Sequence, residues 1–172
     1  MATYRTRTYL AADWDGDKNA IDKLQEWNDG KKWSLSFTDA HDLTQSSDDS
    51  LNCSIKASLD KRMNASKTFV LIVGSNTKSR RAGECTYCAN YKNSKCSTEH
   101  TVSNDSFIEY ECKKAVRDIE DLKLVILYNA ATVDKAKCPD AIKDYGTHAA
   151  MQKMKDGKHV WDYQSVKAAL GL

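Results

Sequence analysis

Runs of apolar residues alternate with amphipathic stretches along most of the chain. Thr68–Val73 and Leu124–Tyr128 are nearly continuous apolar runs, which is the pattern of central strands covered on both faces. Shorter strand patterns occur at Thr6–Ala12, Trp33–Phe37 and Val160–Trp161. The sequence therefore predicts five strands.

Helical periodicity fills the segments between these strands. Apolar residues recur every three or four positions, and a closing helix is predicted over Gln164–Leu170. The predicted buried stripes are Ile21, Leu24 and Trp27; Leu51, Ile55, Leu59 and Met63; and Ile108, Cys112, Ala115, Ile119 and Leu122. Alternating strands and helices favour right-handed βαβ units. We therefore expect a three-layer α/β fold, with a five-stranded parallel sheet of flavodoxin-like order 2-1-3-4-5 and helices on both faces.

Length, charge and cysteine content narrow the class of protein. A chain of 172 residues is expected to form one domain with a full core. Its 26 basic and 24 acidic residues nearly balance, which gives no electrostatic reason to expect a nucleic acid or a membrane surface as partner. The start of the chain lacks the apolar core of a signal peptide, and no apolar run is long enough to span a bilayer. We therefore expect a cytoplasmic protein whose six cysteines are thiols or metal ligands.

Polar residues follow the first and third predicted strands, where a ligand crevice is expected. Ligands of such sheets bind beyond the carboxyl ends of the strands, at the switch point between these two strands. Asp13, Trp14, Ser75 and Asn76 are therefore expected around one crevice. Glu111 is expected to enter it from the helix that follows the third strand.

The loop after the first strand argues against two kinds of ligand site. Asp13, Asp15 and Asp17 would repel the phosphate that a flavodoxin holds in a hydroxyl- and glycine-rich loop. A response-regulator receiver needs a phosphoacceptor aspartate at the end of the third strand, whereas this strand ends in Val73-Gly74-Ser75. Both interpretations are disfavoured.

The predicted helix that begins after Ser106 carries one more carboxylate than its N-terminus needs. Ser106 and Glu109 fit a capping box, which accounts for Glu109. Glu111 borders the apolar seam beside Phe107 and Ala115, and one interpretation is a solvated acid favoured by the helix dipole. The other is a site carboxylate. Most glycosidases need two carboxylates, but the nicotinamide of NAD is already a cationic leaving group, so one carboxylate suffices to orient the ribose and stabilise an oxocarbenium-like transition state.

The motif Phe107-x-x-x-Glu111 after an apolar third strand resembles the aromatic-x-x-x-Glu site of TIR-domain NAD glycohydrolases. The segments Thr8–Asp15, Phe37–Asp42 and Ser66–Thr77 are similar to the bacterial TIR-like branch that includes the Thoeris anti-phage signalling protein. The similarity covers roughly residues 4–128. Its most specific part is the combination of the third strand with the later motif.

This resemblance implies a function, a set of site residues and partners. The family cleaves NAD at the nicotinamide–ribose bond and releases cyclic ADP-ribose or ADP-ribose, a signal that a downstream effector senses. Glu111 would be the catalytic carboxylate, while the Thr38–Asp49 loop would gate the site and mediate self-association. Phe107 would stack on a ring of NAD, and Ala12, Asp13 and Trp14 would line the pocket. The other expected NAD contacts are Ser75 and Asn76 of the crevice and, in the loop, Asp39 and His41, although a loop histidine is more often a solvated or turn-bonding residue. The sequence departs from the family pattern in two places. Phe107 replaces the more usual Trp, which would weaken stacking on the ligand. The connection before the helix is longer, which would block or reshape the mouth of the ligand pocket.

Two functions without catalysis remain open from the sequence. A TIR-like interaction module would assemble through the same Thr38–Asp49 loop and would not turn over NAD. A nucleotide sensor would bind NAD or a derivative and release it intact. Nicotinamide release that depends on Glu111 separates both from the enzyme.

A cysteine-bearing stretch at about residues 82–103 is predicted to be an insertion into the domain. Cys85, Cys88, Cys96 and His100 have the spacing C-x2-C-x7-C-x3-H, which offers the ligand types and the tight first pair of a structural zinc site. Zinc would hold a polar loop that has little apolar material. Reduced, solvated thiols are the alternative, followed by an oxidised Cys85–Cys88 pair. Redox catalysis is disfavoured because the motif does not open a helix directly after a strand.

Overall fold

Residues 5–32, 35–39 and 51–172, which the computed structural model describes, contain four α-helices and eight strands. The helices are α1 (Lys18–Asp29), α2 (Asn52–Asn64), α3 (Phe107–Arg117) and α4 (Tyr163–Leu170). The strands are β1 (Arg7–Ala11), β2 (Ser66–Val73), β3 (Tyr91–Lys92), β4 (Lys95–Cys96), β5 (Lys123–Tyr128), β6 (Thr147–Ala150), β7 (Gln152–Lys155) and β8 (Lys158–Trp161). Four of these strands form a parallel sheet in the order β1-β2-β5-β6, while β3-β4 and β7-β8 pair as separate antiparallel ribbons.

The central strand β2 organises the sheet. Val70 lies opposite Leu10 of β1 and Val125 of β5, so that apolar residues neighbour one another across three strands. Alternate residues point to opposite faces. Tyr9 and Leu71 therefore join a core with α2 and α3, whereas Leu10 and Val70 join a core with α1 and α4. The predicted three-layer α/β fold, with buried central strands and helices on both faces, is confirmed.

The described sheet has four strands where the sequence predicts five. Trp33 and Ser34, which begin the predicted second strand, lie outside the described residues. The chain after them makes an isolated parallel bridge between Thr8 and Asp39, and the Thr8 amide donates to the Thr38 carbonyl at 2.8 Å. The segment therefore occupies the position expected of the second strand, beside β1, but with a single bridge in place of a ladder.

The opposite edge of the sheet also differs from the prediction. Val160–Trp161, predicted as an edge strand, belongs to β8 and pairs with β7 outside the sheet. The edge strand is β6, in which His148 lies opposite Ile126 of β5. The prediction was wrong because the sequence of β6, Thr-His-Ala-Ala, has neither the apolar alternation nor the aromatic residues typical of a strand.

Helix α3 begins as predicted and ends earlier. The Ser106 hydroxyl accepts from the Glu109 amide at 3.1 Å, and the Glu109 carboxylate accepts from the Ser106 amide at 3.3 Å, so the capping box is confirmed. The helix ends at Arg117. Ile119, predicted to be buried, lies in the turn that follows and is 42% exposed, although Leu122 is buried as expected.

The other predicted helices are present with most of their buried stripes. Ile21, Leu24 and Trp27 of α1 are buried, as are Leu59 and Met63 of α2. Helix α4 starts one residue before the predicted Gln164. None of the described helices is long and apolar enough to cross a membrane.

The long connection between β2 and α3 rests on α2. The Asn52 side chain donates to the carbonyl of Glu84 at 3.1 Å. The Lys56 ammonium donates to the carbonyls of Ser103 and Asp105 at 3.3 and 2.8 Å. We call residues 82–103 the insertion; these contacts hold it against the N-terminal half of α2.

Candidate functional site

A cavity of about 310 Å³ opens beyond the carboxyl end of β1, between α2, α3 and the insertion. Five residues predicted to contact NAD or to catalyse line this cavity: Ala12, Asp13, Trp14, Phe107 and Glu111. Its other walls come from α2, the loop that leads to the insertion and the insertion itself. Among the residues in these walls are Ile55, Leu59, Arg62, Arg80 and Ala82.

Glu111 is a buried carboxylate in the wall of this cavity. Its side chain accepts a hydrogen bond from the Tyr9 hydroxyl, and the residue is 7% exposed. Burial raises the pKa of Glu111 to about 7, while the Tyr9 hydrogen bond and the positive charge of Arg62 oppose the rise. Glu111 is therefore not the solvated acid of the alternative interpretation, and it changes charge close to neutral pH.

Helix α3 places Phe107 and Glu111 on the same side of the cavity. Side chains four residues apart on a helix are neighbours, and the capping box fixes where this helix begins. Phe107 is half-buried and packs against the core that contains Tyr9. An aromatic ring and a carboxylate therefore stand next to each other at a ligand-sized opening.

The insertion lies directly against Phe107. The Phe107 amide donates to the Ala82 carbonyl at 2.7 Å. Gly83 has a φ of +100°, and a Cβ at this position would lie 2.5 Å from Cδ1 of Phe107. Glycine meets both requirements, a positive φ and a close backbone approach. The insertion thus forms part of the cavity wall.

Arg80 covers the acidic loop at the mouth of the cavity. Its guanidinium lies 3.1 Å from Oδ1 of Asp13 and 2.6 Å from Oδ2 of Asp15. Asp13 is buried, and its second oxygen, Oδ2, has no hydrogen-bond partner among the described residues. Asp17 is held elsewhere, because its carboxylate accepts from the Asn129 amide at 2.9 Å. Arg80 at the mouth is therefore paired with two carboxylates, and the unsatisfied oxygen of Asp13 lies inside the wall.

Three other predicted NAD contacts do not line this cavity, and a fourth lies outside the described residues. Ser75 and Asn76 are exposed after the end of β2. Asp39 pairs with Thr8 at the outer edge of β1 and borders a different cavity. His41 lies outside the described residues. Their contacts with NAD stay predictions.

The predicted zinc ligands come together without forming a closed metal site. Cys85, Cys88, Cys96 and His100 line one small cavity, which they share with Cys53 of α2. All of these cysteines are free thiols, so the oxidised Cys85–Cys88 pair is absent. Among the described residues, no group of three or more His, Cys, Asp or Glu side chains is arranged to hold a metal ion. Zinc at these four residues stays a prediction.

Two residues that line this cavity, Arg62 and Arg80, and one behind it that contacts Glu111, Tyr9, have no counterpart in the sequence-based prediction. Tyr9 donates to a carboxylate 102 positions later in the chain, and no local pattern reveals such a pair. Arg62 is buried on a helix whose apolar stripe does not include it. Arg80 lies in a basic stretch that otherwise indicates a solvated loop. The only local clue is at Tyr9, which carries a hydroxyl group within the predicted first strand.

Comparison with known proteins finds a similarity to one family over less than half of the chain. Residues 9–84 match the family model of the Thoeris protein ThsB, TIR-like domain. The resemblance to TIR-like domains inferred from the sequence is confirmed over this segment, which contains β1, α1, α2 and β2. It ends before α3, so Phe107 and Glu111 lie outside it. No curated protein matches the chain.

Proposed function

We propose that this protein is a TIR-like enzyme that cleaves NAD at the nicotinamide–ribose bond and makes an ADP-ribose or cyclic ADP-ribose signal in anti-phage defence. The observation that carries the proposal is the buried carboxylate of Glu111 beside Phe107 at a ligand-sized cavity. A buried acid is costly unless it is paired, and such groups with altered pKa values are concentrated at functional sites. The match to a Thoeris TIR-like domain supports the same class of chemistry.

The proposed reaction needs little proton transfer. The bond between the ribose C1′ and the nicotinamide nitrogen breaks, and its electron pair leaves with nicotinamide as a neutral molecule. Ionised Glu111 stabilises the positive charge that develops on the ribose and orients its hydroxyl groups. A second nucleophilic atom of the same ADP-ribose then closes a ring, or water attacks C1′ and loses a proton. Tyr9 and Arg62 contribute by favouring the ionised form of Glu111.

The size and polarity of the cavity suit one end of a dinucleotide. About 310 Å³ is at the lower end of the range for small-molecule pockets, so the nicotinamide riboside half would fill it. The Phe107 ring would stack on this half. Asp13 lines the cavity, and a rotation of its side chain would let the unsatisfied Oδ2, which is buried, accept a ribose hydroxyl. Arg80 at the mouth would lie near the pyrophosphate, whose negative charge it complements.

The test is NAD turnover by the purified full chain and by two matched variants. Glu111→Gln removes the carboxylate charge while keeping the shape of the side chain. Glu109→Gln makes the same change two residues earlier, in a group that serves the capping box. Chromatography would separate nicotinamide, ADP-ribose, cyclic species and intact NAD, with and without lysate of phage-infected cells as a source of an activator.

The proposal expects nicotinamide release from the wild type and from Glu109→Gln, and its loss in Glu111→Gln. Equal release by all three proteins would refute the role of Glu111. Intact NAD under every condition would refute the enzyme and leave the two other functions.

A non-catalytic assembly module is the second candidate, and one observation favours it. The family match covers residues 9–84, which include the Thr38–Asp49 loop but not Glu111. What the chain shares with the family over this segment would then be self-association through the loop. Light scattering across a range of concentrations, together with an assay of NAD turnover, separates the two: assembly without turnover favours the module. If the protein is an enzyme, we propose that it also self-associates through this loop and that a downstream effector senses its product.

A further inference from the structure

A second cluster of reactive side chains lies between α2 and the insertion, separate from the cavity that holds Glu111. Its cavity has a volume of about 10 Å³, which is room for roughly one water molecule or one metal ion. Cys53 of α2 and Cys85, Cys88 and Cys96 of the insertion line it, together with His100. Four of the six cysteines of the chain therefore surround one ion-sized space.

Burial separates the four cysteines from the histidine. Cys85 is buried, and Cys53, Cys88 and Cys96 are half-buried, whereas His100 is exposed. Among the side chains at this cavity that could bind a metal, those shielded from solvent are thus all thiols. Four thiolates around one ion form a common ligand set of structural zinc. This set contains Cys53 in place of His100, so it differs from the set that spacing alone suggests.

The surroundings of the sulfur atoms suit thiolates. The Ser103 amide donates to Sγ of Cys85 at 3.2 Å, and the Thr98 hydroxyl lies 3.2 Å from Sγ of Cys96. The ammonium of Lys56, which is 5% exposed, lies close enough to Cys85 and Cys53 for their charges to interact. A zinc ion with four thiolates carries a net negative charge, and both the hydrogen bonds and this cation offset it.

The insertion has little else to hold its fold. Within residues 85–100, all of which the structure describes, Cys85 alone is buried. The segment consists of a tight turn at Cys85–Tyr87 and the two-residue strands β3 and β4. A piece of chain of this size cannot bury enough apolar surface to stabilise itself, and small units of this kind need a metal or a cross-link. The four cysteines are placed to bind such a metal.

We propose that Cys53, Cys85, Cys88 and Cys96 bind one zinc ion, which fastens the insertion to α2. Zinc displaces the protons of the ligating thiols into solvent and takes their place. No three of these side chains are arranged to hold a metal ion as they stand in the described residues, so binding would have to draw the sulfurs that line the cavity inward. Helix α2 and the insertion each form part of the wall of the NAD-site cavity. The ion would therefore hold two of its walls together.

The test measures zinc in the full chain and in three variants, independently of any activity. Cys53→Ser and His100→Ala remove the two competing fourth ligands, and Cys138→Ala removes a buried cysteine that does not line this cavity. Metal and protein content give the stoichiometry. Replacement of zinc by cobalt gives a sulfur-to-cobalt absorption band whose intensity reports the number of thiolate ligands.

We expect about one zinc per chain in the wild type, in His100→Ala and in Cys138→Ala, and loss of zinc in Cys53→Ser. We also expect a chelator to speed tryptic cleavage at Lys92 and Lys95, which are exposed in the insertion. Retention of zinc in Cys53→Ser with loss in His100→Ala would overturn the ligand set. Wild-type protein without zinc, even after metal is added under reducing conditions, would overturn the site itself.

A second measurement covers the case in which Cys53→Ser does not fold. Native wild-type protein is alkylated before and after addition of a chelator, and each cysteine is located by mass spectrometry. Cys53 should be protected together with Cys85, Cys88 and Cys96 until the chelator is present. Alkylation of Cys53 at the same rate with and without the chelator would refute its role.

Discussion

Replacing Glu111 with Gln should make the protein more stable at alkaline pH. In the folded chain the pKa of Glu111 is about 7, against an ordinary value of 4.5, because the buried carboxyl resists ionisation. Each pKa unit corresponds to about 1.4 kcal/mol. Ionising Glu111 in the folded protein therefore lowers the free energy of unfolding by roughly 3 kcal/mol once the pH exceeds 7.

The direction of the effect follows from proton binding. Between pH 4.5 and about 7 the folded chain retains the Glu111 proton that the unfolded chain has released. The contribution of Glu111 to stability therefore falls as the pH rises through this window. Gln has the same shape and does not ionise, so the variant lacks this fall. The two proteins should have similar stability near pH 5, and the variant should be more stable by up to roughly 3 kcal/mol near pH 8.

Urea unfolding, followed by circular dichroism at several pH values, measures this difference. Glu109→Gln is the control, since Gln can still accept the hydrogen bond of the capping box and Glu109 is less buried. Its stability profile should follow that of the wild type. If the difference between Glu111→Gln and wild type does not change with pH, Glu111 does not titrate as a buried acid and the electrostatic reasoning fails.

Two further substitutions test other contacts around the cavity that Glu111 lines. Tyr9→Phe removes a hydrogen bond to the charged carboxylate of Glu111, a contact worth about 1.5–3 kcal/mol. The pKa of Glu111 should therefore rise by about one to two units. The acid limb of the pH profile of nicotinamide release should move to higher pH by the same amount. An unchanged limb would contradict the role assigned to Tyr9. Gly83→Ala puts a Cβ 2.7 Å from the Phe107 amide nitrogen, and in urea unfolding it should cost about 1–3 kcal/mol. Gly157→Ala is its control, because Gly157 also has a positive φ but nothing lies within 4 Å of the added atom; equal losses would mean that backbone strain alone is responsible.

The parts of the fold that the sequence predicts well are those with a strong local pattern. Strands β2 and β5 are apolar throughout, because a strand covered on both faces has no polar side. The capping box of α3 is a four-residue pattern and was found at Ser106. Strand β6 was missed because its stability comes from its pairing with β5 and not from its own residues.

The candidate site was only partly predictable for a related reason. The position of Glu111 follows from the helix start and from the rule that ligands bind at the carboxyl ends of strands. Its burial and its hydrogen bond to Tyr9 depend on how β1 and α3 meet in three dimensions. The contribution of Cys53 to the cysteine cluster depends in the same way on the contact between α2 and the insertion.

The two ends of the insertion lie side by side, so its length can change without moving the rest of the fold. The Phe107 amide bonds to the Ala82 carbonyl at 2.7 Å, and the Cys85 amide bonds to the Ser103 carbonyl at 3.0 Å. Chain entering the segment at Ala82 thus leaves it beside the same point. Closing a longer loop costs little additional free energy, and such sites tolerate exchange of whole segments. The insertion can therefore be exchanged for a segment of another length, in evolution or by design, without changing the register of the sheet.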